Sequence, residues 1–230
     1  MKRALVLTIM LVAGTMAALV PPSAQAATTI ERAQWHLNKL GCDAGPQDGR
    51  LGTWTKAALI RFQSRHGFPQ TGKLDTTTRT RLLAGTGRWC DTRAVPWQAG
   101  KRRQIVISQS QNWVWITDTR GRVIVQAGMI DNPSVLRKGT YRTGSYCGRA
   151  ARVKLNRSGS LWLDNFVRFA PCGVGFHQIP RRMAGGASIH GTNILGTNMS
   201  ESHGCIRLSR TMSLKVWNFT SGRTTVIKVV

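Results

Sequence analysis

Apolar residues follow three different rhythms along the chain. A largely apolar run, interrupted by Gly14 and Thr15, occupies Ala4 to Val20. Then Ile30, Ala33, Gln34, Leu37 and Leu40 recur at helical spacing and stop at Gly41. Ala57, Leu59, Ile60 and Phe62 predict a second helix, and Leu82 and Leu83 a third, so residues 28–85 are expected to form a three-helix bundle. Asp75 and Thr76 are natural N-caps, as are Thr53 and Thr55. From Arg103 the rhythm shortens to strands rich in β-branched and aromatic residues: Gln104–Ser108, Trp113–Thr117, Val123–Gly128, Gly139–Thr143, Ser160–Leu163, Gly173–His177 and Thr224–Val230. One helix is expected over Arg210–Phe219, which carries Met212, Leu214, Val216 and Trp217. The chain is therefore α+β: a helical bundle, a linker over residues 86–101 without periodicity, and a mainly β unit over residues 102–230.

The helical unit contains a repeat. Pro46–Leu59 matches Pro69–Leu82 at an offset of 23, with identical Pro, Gln, Gly, Leu, two Thr and Leu. Each copy is a turn, centred on Gly49 or Gly72, followed by a helix.

The first apolar run has a different meaning. Lys2 and Arg3 precede it, Pro21-Pro22 ends it, and Ala24-Gln25-Ala26 supplies a small-x-small cleavage pattern, so residues 1–26 are expected to be a signal peptide. An uncleaved anchor is the alternative, since the run comes close to spanning a bilayer. No later stretch is long and apolar enough to span, which places the mature chain outside the cytoplasm. Export alters the meaning of a formal net charge of +24. Inside a cell it would suggest nucleic acid. Here the basic residues are scattered and lack the aromatic interleaving of a single-strand binder, which argues against nucleic acid. Anionic wall polymers are the fitting partners, beside the plainer reading of a basic, solvated surface.

Five cysteines in an exported chain leave one over. Cys42–Cys90 with Cys147–Cys172 is the simplest of the three pairings of four, which points to Cys205 as the free thiol. No CxxC or HxxxH spacing occurs and acidic residues are few, so no metal site is expected. Nothing indicates a cofactor.

Cys205 lies in Ser202-His203-Gly204-Cys205-Ile206-Arg207-Leu208. The thiolate is the reactive form of cysteine, and histidine exchanges protons near neutral pH, so the segment has the composition of a nucleophile site. His203 adjoins the thiol and is expected to support the loop rather than relay its proton.

Two resemblances give these residues a setting. Leu37-Asn38-Lys39-Leu40-Gly41, Asp48-Gly49-x-Leu51-Gly52-x-x-Thr55, Phe62-Gln63, His66-Gly67 and Thr71-Gly72-x-Leu74-Asp75 resemble the peptidoglycan-binding domain type 1, which implies binding to the wall. Residues 102–230, with Ser202-His203-Gly204-Cys205 followed by Ile206-Arg207, resemble the L,D-transpeptidase catalytic domain of the YkuD type. That resemblance implies acyl transfer on peptidoglycan stem peptides. Cys205 would attack the carbonyl before a D-alanine, expel that residue and pass the acyl group to an amine of a neighbouring stem or of a protein. Gly204 and Cys205 would offer backbone N–H groups to the oxyanion, and Ser202 and Arg207 would contact substrate, the guanidinium matching a carboxylate. For Arg207 a structural salt bridge is an equal alternative. His177 is favoured as general base because a strand end holds an imidazole firmly; His190, in His190-Gly191-Thr192-Asn193, is the alternative. Where family members carry Thr-Pro-x-Gly, this chain has Leu136-Arg137-Lys138-Gly139, so the sheet edge is expected to differ. Hydrolysis, as an L,D-carboxypeptidase or endopeptidase, and an inactive wall-binding module are the competing functions.

Overall fold

The structure is a computed structural model that describes residues 28–230, apart from the Cys172 side chain. The expected signal peptide lies outside the described residues. Three helices, α1 (Thr29–Lys39), α2 (Thr53–His66) and α3 (Thr76–Leu83), form the bundle around Ala33, Leu37, Ala58, Leu59, Phe62 and Leu82. The disulfide between Cys42 and Cys90 lies in the same core.

The sequence repeat has a physical cause. Gln34 of α1 is buried, donates to Asp48 Oδ1, Arg50 O and Thr55 Oγ1, and accepts the Gly49 N–H. Gln63 of α2 is its counterpart, donating to Thr71 Oγ1, Lys73 O and Thr78 Oγ1 and accepting the Gly72 N–H. A buried amide is tolerated only when its donors and acceptor are met, so each glutamine fixes one turn. Thr55 is therefore no cap: it is buried against Gln34 and the Arg50 carbonyl, and α2 starts after Gly52 without a side-chain cap. Asp75 does cap α3, accepting from the Thr78 N–H.

Ten strands and a fourth helix follow: β1 (Gln104–Ser108), β2 (Trp113–Thr117), β3 (Val123–Gly128), β4 (Gly139–Arg142), β5 (Arg152–Ser158), β6 (Leu161–Arg168), β7 (Gly175–Gln178), β8 (Arg181–Arg182), β9 (Ile206–Leu208), α4 (Arg210–Phe219) and β10 (Val226–Val229). One sheet runs β3-β2-β1-β10-β4, the other β5-β6-β7-β9 with β8 on β6. β4 forms the sheet edge at the Leu136–Tyr141 segment. Ile105, Ile107, Val114 and Ile116 of the first sheet meet Val167, Phe176, Ile206 and Leu208 of the second, with Met212 and Val216 of α4 between them. The alternate residues Val106, Trp113 and Trp115 face outward, where Val95 and Ala99 cover them. The segment expected to be a linker is thus a packed strap. Its Arg93 is buried, donates to Cys90 O, Gln111 O and Arg61 O, and stacks on Trp113 at 4.1 Å. Removal from water pushes its guanidinium down to about 9.

Candidate functional site

Strand pairing brings the candidate side chains together. β7 and β9 are parallel, with Phe176 opposite Ile206 and His177 opposite Arg207. β6 and β7 are antiparallel, with Val167 opposite Phe176 and Arg168 opposite Gly175. Because side chains alternate across a sheet, Val167, Phe176 and Ile206 enter the core while Arg168, His177 and Arg207 share the other face. Cys205 directly precedes β9, and the Arg168 and Arg207 charges of that face act on its thiol.

Cys205 is a free, partly exposed cysteine, and its thiol donates to the Gly173 carbonyl at 3.3 Å. Burial pushes the thiol above its ordinary pKa, while the Gly175 N–H and the guanidinium groups of Arg168 and Arg207 pull it down. Two glycines are sterically required. Gly204 has φ +110°, and a Cβ there would lie 2.6 Å from Val135 Cγ1. A Cβ at Gly175 would lie 2.6 Å from the Val167 carbonyl oxygen.

His177 is 2% exposed and stacks on Phe166 at 6.1 Å. Its Nδ1 lies 2.5 Å from the Gln178 carbonyl. A carbonyl only accepts, so Nδ1 carries the proton and Nε2 presents a lone pair. Burial, with the Arg207 charge, lowers this imidazole to about 4 despite the opposing carbonyl and Asp164. His190 sits half-buried in the loop before the 3-10 turn Thr192–Ile194, with Nδ1 at 2.9 Å from Gly191 O. Its Nε2 is buried and unpaired. Burial first, then the Arg207 charge, lowers its pKa.

The other candidates fall elsewhere. Ser202 is 3% exposed and forms the turn itself: its Oγ accepts the Gly204 N–H at 2.9 Å and its carbonyl accepts from Asn132 Nδ2 at 2.9 Å. The Gly204 amide expected to meet an oxyanion is therefore engaged within the turn by the Ser202 hydroxyl. His203 is exposed and makes no hydrogen bond among the described residues. Arg207 is 9% exposed, donates to Ser200 Oγ at 3.3 Å and has no carboxylate partner among the described residues. Arg168, missed in the sequence, is buried on β6 with Nη1 unpaired. Its signal was weak, one arginine among many in a basic chain. Cys147 is disulfide-bonded, while the Cys172 side chain lies outside the described residues. Among the described residues no group of three or more His, Cys, Asp or Glu is placed to hold a metal ion.

The buried His177 imidazole, the free Cys205 thiol and the Arg168 and Arg207 guanidinium groups, each only partly hydrogen-bonded, gather at strands β6, β7 and β9, a set suited to a thiol nucleophile and an anionic ligand. Comparison with known proteins gives the family. Residues 27–82 match the peptidoglycan binding domain, and residues 71–228 match the L,D-transpeptidase catalytic domain. No curated protein matches the chain. Among solved structures it is similar to the L,D-transpeptidase from Xylanimonas cellulosilytica, with 17% identity over 91% of this chain and 100% of that one and a TM-score of 0.50. It is also similar to an L,D-transpeptidase from Stackebrandtia nassauensis, with 18% identity over 89% and 92% of the two chains and a TM-score of 0.44. The first likeness concerns the fold. The family match covers well over half of the sequence, and the chain belongs to the L,D-transpeptidase catalytic domain family.

Proposed function

We propose that the chain is an exported, wall-associated peptidoglycan L,D-transpeptidase with Cys205 as nucleophile and His177 as general base. The observation that carries this reading is the free Cys205 thiol directly before β9, the strand paired with the one that bears a buried His177 whose Nε2 is the bare nitrogen. At neutral pH both groups are uncharged, since burial raises the thiol and lowers the imidazole. As sulfur attacks the stem carbonyl before D-alanine, Nε2 takes the thiol proton. The Cys205 N–H receives the oxyanion, as Gly204 is engaged. The C–N bond then breaks, the imidazolium returns its proton to the departing D-alanine amine, and a thioester remains. An amine of a second stem, or of a protein, attacks the thioester. Its proton passes through His177 to the leaving sulfur, which restores the thiol and leaves a new amide.

Arg207, a buried cation without a carboxylate partner among the described residues, supports recognition of a stem carboxylate. The bundle supplies wall attachment, and the basic surface favours anionic polymers. A thiol-reactive carbapenem is expected to add once per chain, on Cys205, in intact-mass measurements, and an unmodified native protein would sink the reading. Muropeptide mass spectrometry then reads the acceptor: 3-3 cross-linked dimers mark transpeptidation, whereas shortened stems alone mark a carboxypeptidase.

A further inference from the structure

The two units of the molecule are joined by an arginine in an unusual place. Arg61 belongs to α2 of the bundle, is 7% exposed, and among the described residues has no carboxylate in salt-bridge contact with its guanidinium. Its bonds go to backbone carbonyls on two sides. Nη1 donates to Cys42 O at 2.7 Å and Asp43 O at 3.3 Å, within the bundle. Nε donates to Leu195 O at 2.9 Å, and Nη2 donates to Asn193 O, both in the catalytic unit. Arg61 Cγ also lies 3.5 Å from the Cβ position of Gly196, whose backbone packs on Gly128 so closely that a Cβ on Gly128 would lie 2.7 Å from Gly196 N. The gripped segment starts three residues after His190 and runs into Ser200, the hydrogen-bond partner of Arg207.

We propose that Arg61 is a positioning residue of the catalytic cleft, through which the wall-binding bundle holds the segment 193–200 and the cleft wall it builds. Burying a guanidinium without a counter-ion is costly unless its donors are met, so the carbonyls and the cation fix one another. A short rigid link of this kind transmits position, and a misplacement of about 1 Å near reacting groups can cost about 100-fold in rate. The bundle is then part of the catalytic unit as well as an attachment. This inference rests on the acyl-transfer reading of Cys205.

The test compares native protein with Arg61→Met and Arg61→Lys, each checked for fold by circular dichroism, in three measurements. These are the carbapenem acylation rate at Cys205, the iodoacetamide alkylation rate at Cys205, and amide hydrogen exchange over residues 193–200. The expected result is acylation at least tenfold slower in both variants, alkylation within twofold of native, and faster exchange confined to that segment. Acylation at the native rate in a folded variant would overturn the inference, as would an equal loss in alkylation, which would mean a general disturbance of the thiol. If Arg61→Met does not fold, Arg61→Lys, whose single ammonium cannot span both sets of carbonyls, decides alone. Should neither fold, Arg61→Gln in the full chain, whose amide cannot reach the carbonyls on both sides, takes their place under the same criteria. Absence of any adduct in the native protein is a failure of the functional reading instead.

Discussion

The bundle and the catalytic cleft both bury polar side chains, and they treat them in opposite ways. In the bundle, Gln34 and Gln63 have every donor and acceptor engaged within their own unit. Around Cys205, among the described residues, Arg168 Nη1 and His190 Nε2 are buried without partners, the Arg207 guanidinium has one long contact, and the Cys205 thiol faces a single carbonyl at 3.3 Å. Unmet polar groups cost stability, so a fold retains them where a ligand completes the set. The satisfied region specifies shape, and the unsatisfied one is set up for chemistry.

Substitutions should separate the two regions. Cys205→Ala is expected to abolish carbapenem adduct formation entirely while leaving the thermal unfolding midpoint near native; an adduct elsewhere would relocate the nucleophile. His177→Ala should slow acylation by about 100- to 10,000-fold, the usual contribution of a general base. The same change at His190 should cost less than tenfold. A reversal of these two losses in single-turnover kinetics would transfer the base to the loop histidine. On the other side of the comparison, Gln63→Leu should leave the acylation rate unchanged while lowering stability by about 1–3 kcal/mol in urea titration, because Gly72 N–H and Thr78 lose their buried partner. A loss of activity without loss of stability would mean that the bundle does not divide from the cleft in this way.

The smallest effect concerns pH. His177 titrates near 4 when folded and near 6.5 when unfolded, so the unfolded chain binds the extra proton between those values. Stability contributed by its neutral form is full above about 6.5 and is lost as pH falls toward 4. The unfolding midpoint of the native protein should therefore fall more steeply across that window than that of His177→Gln. Parallel profiles would show that the imidazole is not held neutral by burial.

Local patterning revealed most elements. The α4 span was legible to the residue, and β1, β2 and β3 were too, because β-branched and aromatic residues fill them and turn residues bound them. β5 was not, since Arg152–Ser158 is a largely polar strand at a sheet edge whose side chains mostly meet water. β9 was hidden for a different reason: three residues pair with β7 through contacts 30 positions away, and no local rhythm marks so short a strand. Thr55 was misread as a cap because its hydroxyl is claimed by Gln34, 21 residues earlier.

The sequence by itself determined the α+β order, the repeat, the odd cysteine and the candidate pair of Cys205 with a histidine, because each is written in spacing or composition. Tertiary structure decided what those residues touch. It turned an apparent linker into a strap held by Arg93, committed the Gly204 amide to Ser202, left His203 in solvent and brought Arg168 to the cleft face. It also set Arg61 across the two units, where its donors reach carbonyls more than 130 residues away. Hydrogen-bond satisfaction and removal from water are properties of a folded neighbourhood, and residues far apart in the chain carry no local mark of sharing one.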